Sequence, residues 1–411
     1  MKASEEPRPE GALAVSSASQ PLRNPHFPCF DAMRGLGVVL ILATHVHFQT
    51  IATKKGVFSP ILWHMDVGLT IFFMLSGFLL FRPFVLGSFA GRSPGSTALF
   101  LRRRFLRVIP GYWFALIAVV IFFGLKLRSV GDAVFYYGLL PPLSNSRAFN
   151  TSPIRQEWSL TVEVMFYLLL PVYALVIRRL GKHRELAGRV RIALIGSAVL
   201  FAIGTGFRAY FSLAHPSWQA QGALVLPAWI DILAIGMAMA ALSAAHQLGR
   251  PLPRPLVALG DRPGLAWGIA GVLFLAISRV ASPAKPYVFN GEYVLRYFAY
   301  GIIGLLLLAP AMFGDQTKGR LRAVLRHPVL VYVGTVSLGI YLIHLAILDK
   351  LYAHLYPHGN TIYGGRGNFF VLYFGTLALC LVFASLSYYV VERHFLRLKN
   401  PRTRAAAGAD R

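Results

Sequence analysis

The chain has 411 residues, 56% of them hydrophobic and only 14% charged, against roughly a quarter charged in soluble domains. Its formal net charge is +25, but the lysines and arginines are spread between long apolar segments, which speaks for positive-inside topology and against nucleic acid as a partner. Composition excludes a soluble globular enzyme and points to a polytopic membrane protein, whose basic residues also suit anionic lipid or a phosphorylated ligand.

The first 25 residues are polar, contain proline and serine, and lack an apolar signal core, so a disordered cytoplasmic tail is expected over 1–27. Ten apolar segments of adequate length follow, at about 32–51, 66–86, 108–127, 158–177, 191–211, 226–246, 264–281, 294–313, 329–348 and 369–391. An even number puts both termini on one side. The loops of that side hold eighteen lysines and arginines and the opposite loops eight, so both termini are expected in the cytoplasm, with a second tail over 399–411. The expected fold class is an all-α polytopic integral membrane protein of about ten transmembrane helices, with a membrane domain over 28–398. Cys29 and Cys380 are badly placed for a disulfide, and no metal-type spacing is present, so no metal is expected.

The first span, FDAMRGLGVVLILATHVHFQT from Phe30 to Thr50, carries an arginine at its entrance and two histidines near its exit. Arg34 and His45 are eleven residues apart, about 20° past three full turns, so they share one helical face. The rise between them is roughly 16 Å, about half the apolar thickness of a bilayer. One stripe therefore joins a fixed positive charge at the membrane surface to an imidazole deep inside, the side chain best suited to take a proton near neutral pH. Asp31, three residues before Arg34, is placed to orient it. His47 points nearly opposite, where interfacial snorkelling is expected.

In the second span, FFMLSGFLLF, Ser76 and Gly77 read as a packing face that lets another helix approach. The following cytoplasmic loop ends LRRRFLRVIPGYW, from Leu101 to Trp113. Arg104 and Arg107 are helix-surface neighbours, and four arginines in six residues exceed what anchoring requires; guanidinium groups suit phosphate. Pro110 and the Tyr112–Trp113 pair mark the interfacial start of span three. The loop 128–157 contains FYYGLLPPL, which suits a re-entrant or interfacial helix.

The fourth span, in QEWSLTVEVMFYLLLP, holds Glu163 several residues inside, where a lone carboxylate costs about 2.5–3.5 kcal/mol. Glu163 either pairs with an arginine of another span, or polarises or orients His45, or acts as a base itself. Arg208, Asp231, Arg279, Glu292 and Arg296 lie near outer span ends, as ion pairs or as the lining of an outward cavity. In SLGIYLIHLAILD, Ser337, Tyr341 and His344 fall at i, i+4, i+7 and form a possible second polar stripe. The H-x4-D of His344 and Asp349 reads as coincidence. No phosphate-binding loop, zinc-type helix motif, nucleophile elbow or dinucleotide fingerprint is present.

Together, Arg34-x10-His45, FFMLSGFLL, RRFLRVIPGYW, EWSLTVEVMFYLLLP, SLGIYLIH and the closing YYVVERHFLRL resemble the membrane acyltransferase-3 family, in the family's order and over about residues 27–398. The resemblance implies O-acylation of a carbohydrate, glycoside or macrolide-type acceptor. Acyl-CoA, with acetyl-CoA the expected donor, serves as co-substrate from the cytoplasmic side, and no cofactor is permanently bound. It maps the family's Arg–His pair onto Arg34 and His45 and its RxxR motif onto Arg104 and Arg107, and it matches the stand-alone form without a soluble esterase-like domain. His45 and Glu163 are then the expected catalytic residues, Arg34, Arg104 and Arg107 the acyl-donor-binding ones, and a bacterial plasma membrane the expected location. The competing class is a multispan transporter or flippase, against which the chain shows no internal repeat and no matching pair of interrupted helices.

Overall fold

The computed structural model describes residues 25–50, 57–93, 95–143, 154–214, 219–280, 290–357 and 368–399. The bulk of both expected tails lies outside the described residues, as do Lys54, Lys55, Arg147, Lys285 and Arg366 of the charge comparison. Among the described residues every regular element is helical and there is no strand.

The helices used below are α1 (Phe30–Gln49), α2 (Val67–Phe89), α3 (Thr97–Phe122), α4 (Val130–Tyr137), α5 (Trp158–Leu180), α6 (Leu186–Ala214), α7 (Ile230–Gln247), α8 (Arg254–Asp261), α9 (Pro263–Val280), α10 (Gly291–Met312), α11 (Pro328–Thr335), α12 (Ser337–Leu355) and α13 (Phe369–Ser387). Nine helical stretches among the described residues are long and apolar enough to cross a membrane. The expected first span is not one of them. It does form a helix, α1, but Asp31, Arg34, Thr44, His45, His47 and Gln49 dilute its apolar content. That composition is tolerated because α1 is enclosed by α2, α11, α12 and α13, and a helix shielded from lipid needs no apolar perimeter.

Three boundaries differ from the sequence expectation. The arginine-rich stretch is not loop: α3 begins at Thr97, capped by Ser96 Oγ accepting from the Leu99 N–H at 3.2 Å, and Arg102 to Arg107 lie on its first turns. Pro110 therefore falls inside α3 rather than at its start. The expected span 329–348 is broken at Val336 into α11 and α12, where Ser337 Oγ donates to the Gly334 carbonyl at 2.8 Å. Just before the break Gly334 packs on the backbone of α1, where a Cβ would stand 1.7 Å from the Asp31 carbonyl oxygen. The segment FYYGLLPPL supplies the last turn of α4 and a tight turn at Pro141–Leu143.

α2 is the centre of the bundle, packed on α7, α1, α10 and α5. Its closest partner is α7, through reciprocal glycines: a Cβ at Gly77 would come within 2.1 Å of Leu233 O, and one at Gly236 within 2.1 Å of Met74 O. Such backbone proximity is how transmembrane helices gain contact area when lipid is as apolar as leucine. The expected packing role thus falls to Gly77. At the start of α7, just before this contact, Asp231 receives a bidentate ion pair from Arg208 of α6, both side chains only 2% exposed, and Arg208 also donates to Ala228 O and stacks over Tyr297 at 4.8 Å. Arg296 lies over Tyr293 and Tyr297, each at 5.1 Å.

Candidate active site

Arg34 sits one turn into α1 and is ion-paired to Asp31 on the same face. Arg104 and Arg107 project from the early turns of α3, and Glu163 from the second turn of α5. These four groups line one cavity of about 560 Å³ with Asp31, Ser76, Ser159, Ser337, Tyr341 and Glu392. Helices far apart in sequence thus bring these three guanidiniums together with the Glu163 carboxylate, and Asp31 and Glu392 add two more carboxylates to the wall. Ser76, the neighbour of the packing glycine, turns into this cavity and donates to Glu163 Oε1 at 2.9 Å.

His45 takes a different set of partners. Its Nδ1 is 3.0 Å from the Ile41 carbonyl, one turn back on α1, and 3.2 Å from Nε2 of His344 on α12. His344 Nδ1 in turn lies 2.6 Å from the Tyr341 carbonyl. Carbonyl oxygens only accept, so both rings carry their proton on Nδ1 in the neutral state. His344 Nε2 is then an acceptor for the His45 N–H, and His45 Nε2 is left as a lone pair. That is the tautomer a general base requires, fixed by a neighbour on the ring's other nitrogen.

Tyr341 connects the two places. Its hydroxyl donates to Gln156 O at 3.2 Å and stands 2.7 Å from Ser159 Oγ at the cavity wall, while its ring centroid is 5.6 Å from that of His344. The expected second stripe is thus divided: Ser337 and Tyr341 face the arginine cavity, and His344 faces His45. Glu163 and His45 are not joined by a hydrogen bond among the described residues, and His45 does not line the arginine cavity. Beyond the histidines, Arg155 is ion-paired to Asp349 at 3.1 Å, and Gln49 Nε2 donates to Asp349 at 2.9 Å, tying the ends of α1 and α12 to the start of α5.

The snorkelling reading of His47 is overturned. The residue is fully buried, with Nε2 3.2 Å from Ser59 Oγ and its ring edge-on to Trp63 at 5.5 Å. Helical periodicity gives its direction correctly, but the chain returning after α1 covers that face.

Two residues escaped the sequence reading. Glu392 enters the cavity from a π-helical turn, Tyr388–Glu392, after α13, with Ser387 donating to it at 2.9 Å; such turns recur at functional sites. A lone carboxylate in the basic stretch YYVVERHFLRL was the available signal. Lys399, just past the end of the helical stretch that follows α13, has its ammonium pushed down to about 7 by partial burial and by the positive charges of Arg107 and Arg104.

The fold and site define a multi-pass helical membrane protein with a polybasic cavity beside a paired-histidine centre. Residues 27–385 match the acyltransferase domain of the acyltransferase-3 type, and the chain belongs to that family of enzymes. It is 26% identical over 342 residues to the peptidoglycan O-acetyltransferase OatA of Listeria monocytogenes, covering 79% of this chain and 49% of OatA. It is 26% identical over 410 residues to the acyltransferase MdmB of Streptomyces mycarofaciens, covering 95% of this chain and 97% of MdmB. The chain therefore spans about half the length of OatA and nearly all of MdmB. No solved structure matches it.

Proposed function

We propose that the protein is a plasma-membrane O-acyltransferase that moves an acyl group, acetyl in the first instance, from cytoplasmic acyl-coenzyme A to a hydroxyl of a carbohydrate, glycoside or macrolide-type acceptor. The observation that carries this reading is the adjacency of two unlike places: a cavity with Arg34, Arg104 and Arg107, and behind its Tyr341 wall a histidine pair with one free ring nitrogen. The relative OatA is a peptidoglycan O-acetyltransferase, which supports a glycan hydroxyl as acceptor here.

The donor is polyanionic at one end and carries its thioester on a long thin arm. Arg34, Arg104 and Arg107 hold its phosphates by charge-assisted hydrogen bonds. Glu163, bonded to Ser76 among these guanidiniums, keeps them apart and aimed, which makes it a positioning residue and not the partner of His45. His45 Nε2 takes the proton of the acceptor hydroxyl as its oxygen attacks the thioester carbonyl. The C–S bond breaks, the ester C–O bond forms, and the coenzyme A thiolate leaves and recovers the proton. While His45 is an imidazolium, its Nδ1–H donates a hydrogen bond to His344 Nε2, which steadies the charge.

Three measurements test the reading. Purified protein in detergent should consume acetyl-coenzyme A in the presence of an acceptor without any membrane potential; movement of an unmodified solute across vesicles with no thioester consumed would favour a transporter. Mass spectrometry of envelope glycans and secreted metabolites from a deletion strain should show the loss of one acyl mass. Reporter fusions at Lys182, Pro253 and Arg320 should report cytoplasm, and an external signal from any of them would break the assigned orientation.

A further inference from the structure

Beside the arginine cavity lies a second one, of about 450 Å³, enclosed by the last turns of α2 and α5, the first turns of α3 and the segment joining α2 to α3. Its floor is apolar, built by Leu80, Phe84 and Leu175, and its rim carries Arg103, Arg104 and Arg178 with no carboxylate among the lining residues. Leu175 is 39% exposed, so the floor runs out to the perimeter of the bundle, where lipid lies. Arg104 stacks over Phe100 at 5.7 Å, and its Nε is buried with no hydrogen-bond partner among the described residues. Arg178 is held at the rim by a hydrogen bond to the Arg92 carbonyl.

We infer that this second cavity binds one anionic phospholipid of the cytoplasmic leaflet, its phosphate at the arginine rim and an acyl chain along Leu80, Phe84 and Leu175. Guanidinium groups match phosphate as fork to fork, and basic pockets between transmembrane helices select anionic head groups. The apolar floor suits an acyl chain, while Ser88, Ser93, Ser96 and Thr97 add hydroxyls to the arginines of the lining for a polar head group. Arg103 and Arg178 do not line the arginine cavity, so the site is separable from the donor site, although Arg104 borders both. The inference does not depend on the acyl-transfer reading.

The test is native mass spectrometry of the full chain, purified in detergent and exposed to equal amounts of phosphatidylglycerol and phosphatidylcholine, beside acetyl-coenzyme A binding measured on the same samples. One phosphatidylglycerol should be retained in preference to phosphatidylcholine. R103Q/R178Q should lower that retention by about tenfold or more, since hydrogen bonds to a charged group are lost, with donor affinity unchanged. Ala174→Trp, which fills the floor, should abolish retention by steric exclusion, so a folding failure in one variant leaves the other decisive. Equal retention of the two lipids by the wild type, or undiminished retention in either folded variant, would overturn the site. Loss of donor affinity in R103Q/R178Q with lipid retention intact would overturn it too, assigning the cavity to the donor's nucleotide end. A wild type that binds the lipid but no acyl-coenzyme A would sink the proposed function and leave this inference standing.

Discussion

His344 Nε2 lies 3.2 Å from His45 Nδ1, although the two residues are 299 positions apart in the chain. Because the Ile41 and Tyr341 carbonyls can only accept, each ring carries its proton on Nδ1; His45 shares that one N–H between Ile41 O and His344 Nε2, which leaves the His45 Nε2 lone pair. His45→Ala should therefore lower single-turnover acyl transfer by about 10²–10⁴-fold with donor binding nearly intact, the range of a general acid–base contribution. His344→Phe keeps ring volume but removes the acceptor; its deficit should shift the pH–rate profile, whereas His344→Gln, with an oxygen to offer, should restore part of the rate. A His344→Phe enzyme with an unshifted profile would confine His344 to packing.

The three cavity arginines should fail in binding rather than in chemistry. Arg34→Ala, Arg104→Ala and Arg107→Ala are each expected to weaken acetyl-coenzyme A binding by about 1.5–3 kcal/mol, the worth of a charge-assisted hydrogen bond. Lysine at the same positions should recover only part, because a point charge replaces a planar fork. Calorimetry checks this. Turnover lost at full donor affinity would move these arginines out of donor binding.

Donor affinity should also depend on pH through Lys399. Burial and the positive charges of Arg107 and Arg104 hold its ammonium down at about 7, so it carries charge below that pH and loses it above. A polyanionic donor favours the charged form, so binding takes up a proton and affinity falls as pH rises through about 7. Between pH 6 and 8 the change should be about two- to fivefold, matching the roughly 0.2–1 kcal/mol of an exposed ion pair. Lys399→Met should flatten that slope. An equal slope in the variant would place the titrating group elsewhere.

His47→Ala should act on the fold. The residue is fully buried against Ser59 and Trp63, so truncation is expected to lower the midpoint of thermal unfolding, with any lost activity following the lost folded protein. Normal stability with abolished turnover would return His47 to the mechanism.

Asp231→Asn leaves Arg208 buried without its counter-charge, and breaking such a pair costs about 3–5 kcal/mol. The variant should unfold at markedly lower temperature or fail to accumulate. Replacing both residues together by apolar ones should recover much of that loss, and a double variant worse than the single one would mean the ion pair does more than hold α6 to α7.

Much of this protein was legible in order along the chain. Apolar runs of membrane length locate nine of the ten expected spans, because a backbone in lipid must satisfy itself as helix and its side chains must be apolar where they meet lipid. The eleven-residue spacing puts Arg34 and His45 on one face of α1, and the density of arginines after Leu101 marks the basic wall of a cavity. What periodicity cannot supply is which face another helix covers. Only the packed bundle decides that α1 is enclosed by other helices, that His47 is covered, and that Ser76 and Glu163 meet among the arginines. It also decides that His344, from the far end of the chain, meets His45. Each of these is a contact between distant segments, set by where glycines such as Gly77, Gly236 and Gly334 let backbones close on one another, and no one-dimensional pattern encodes that distance.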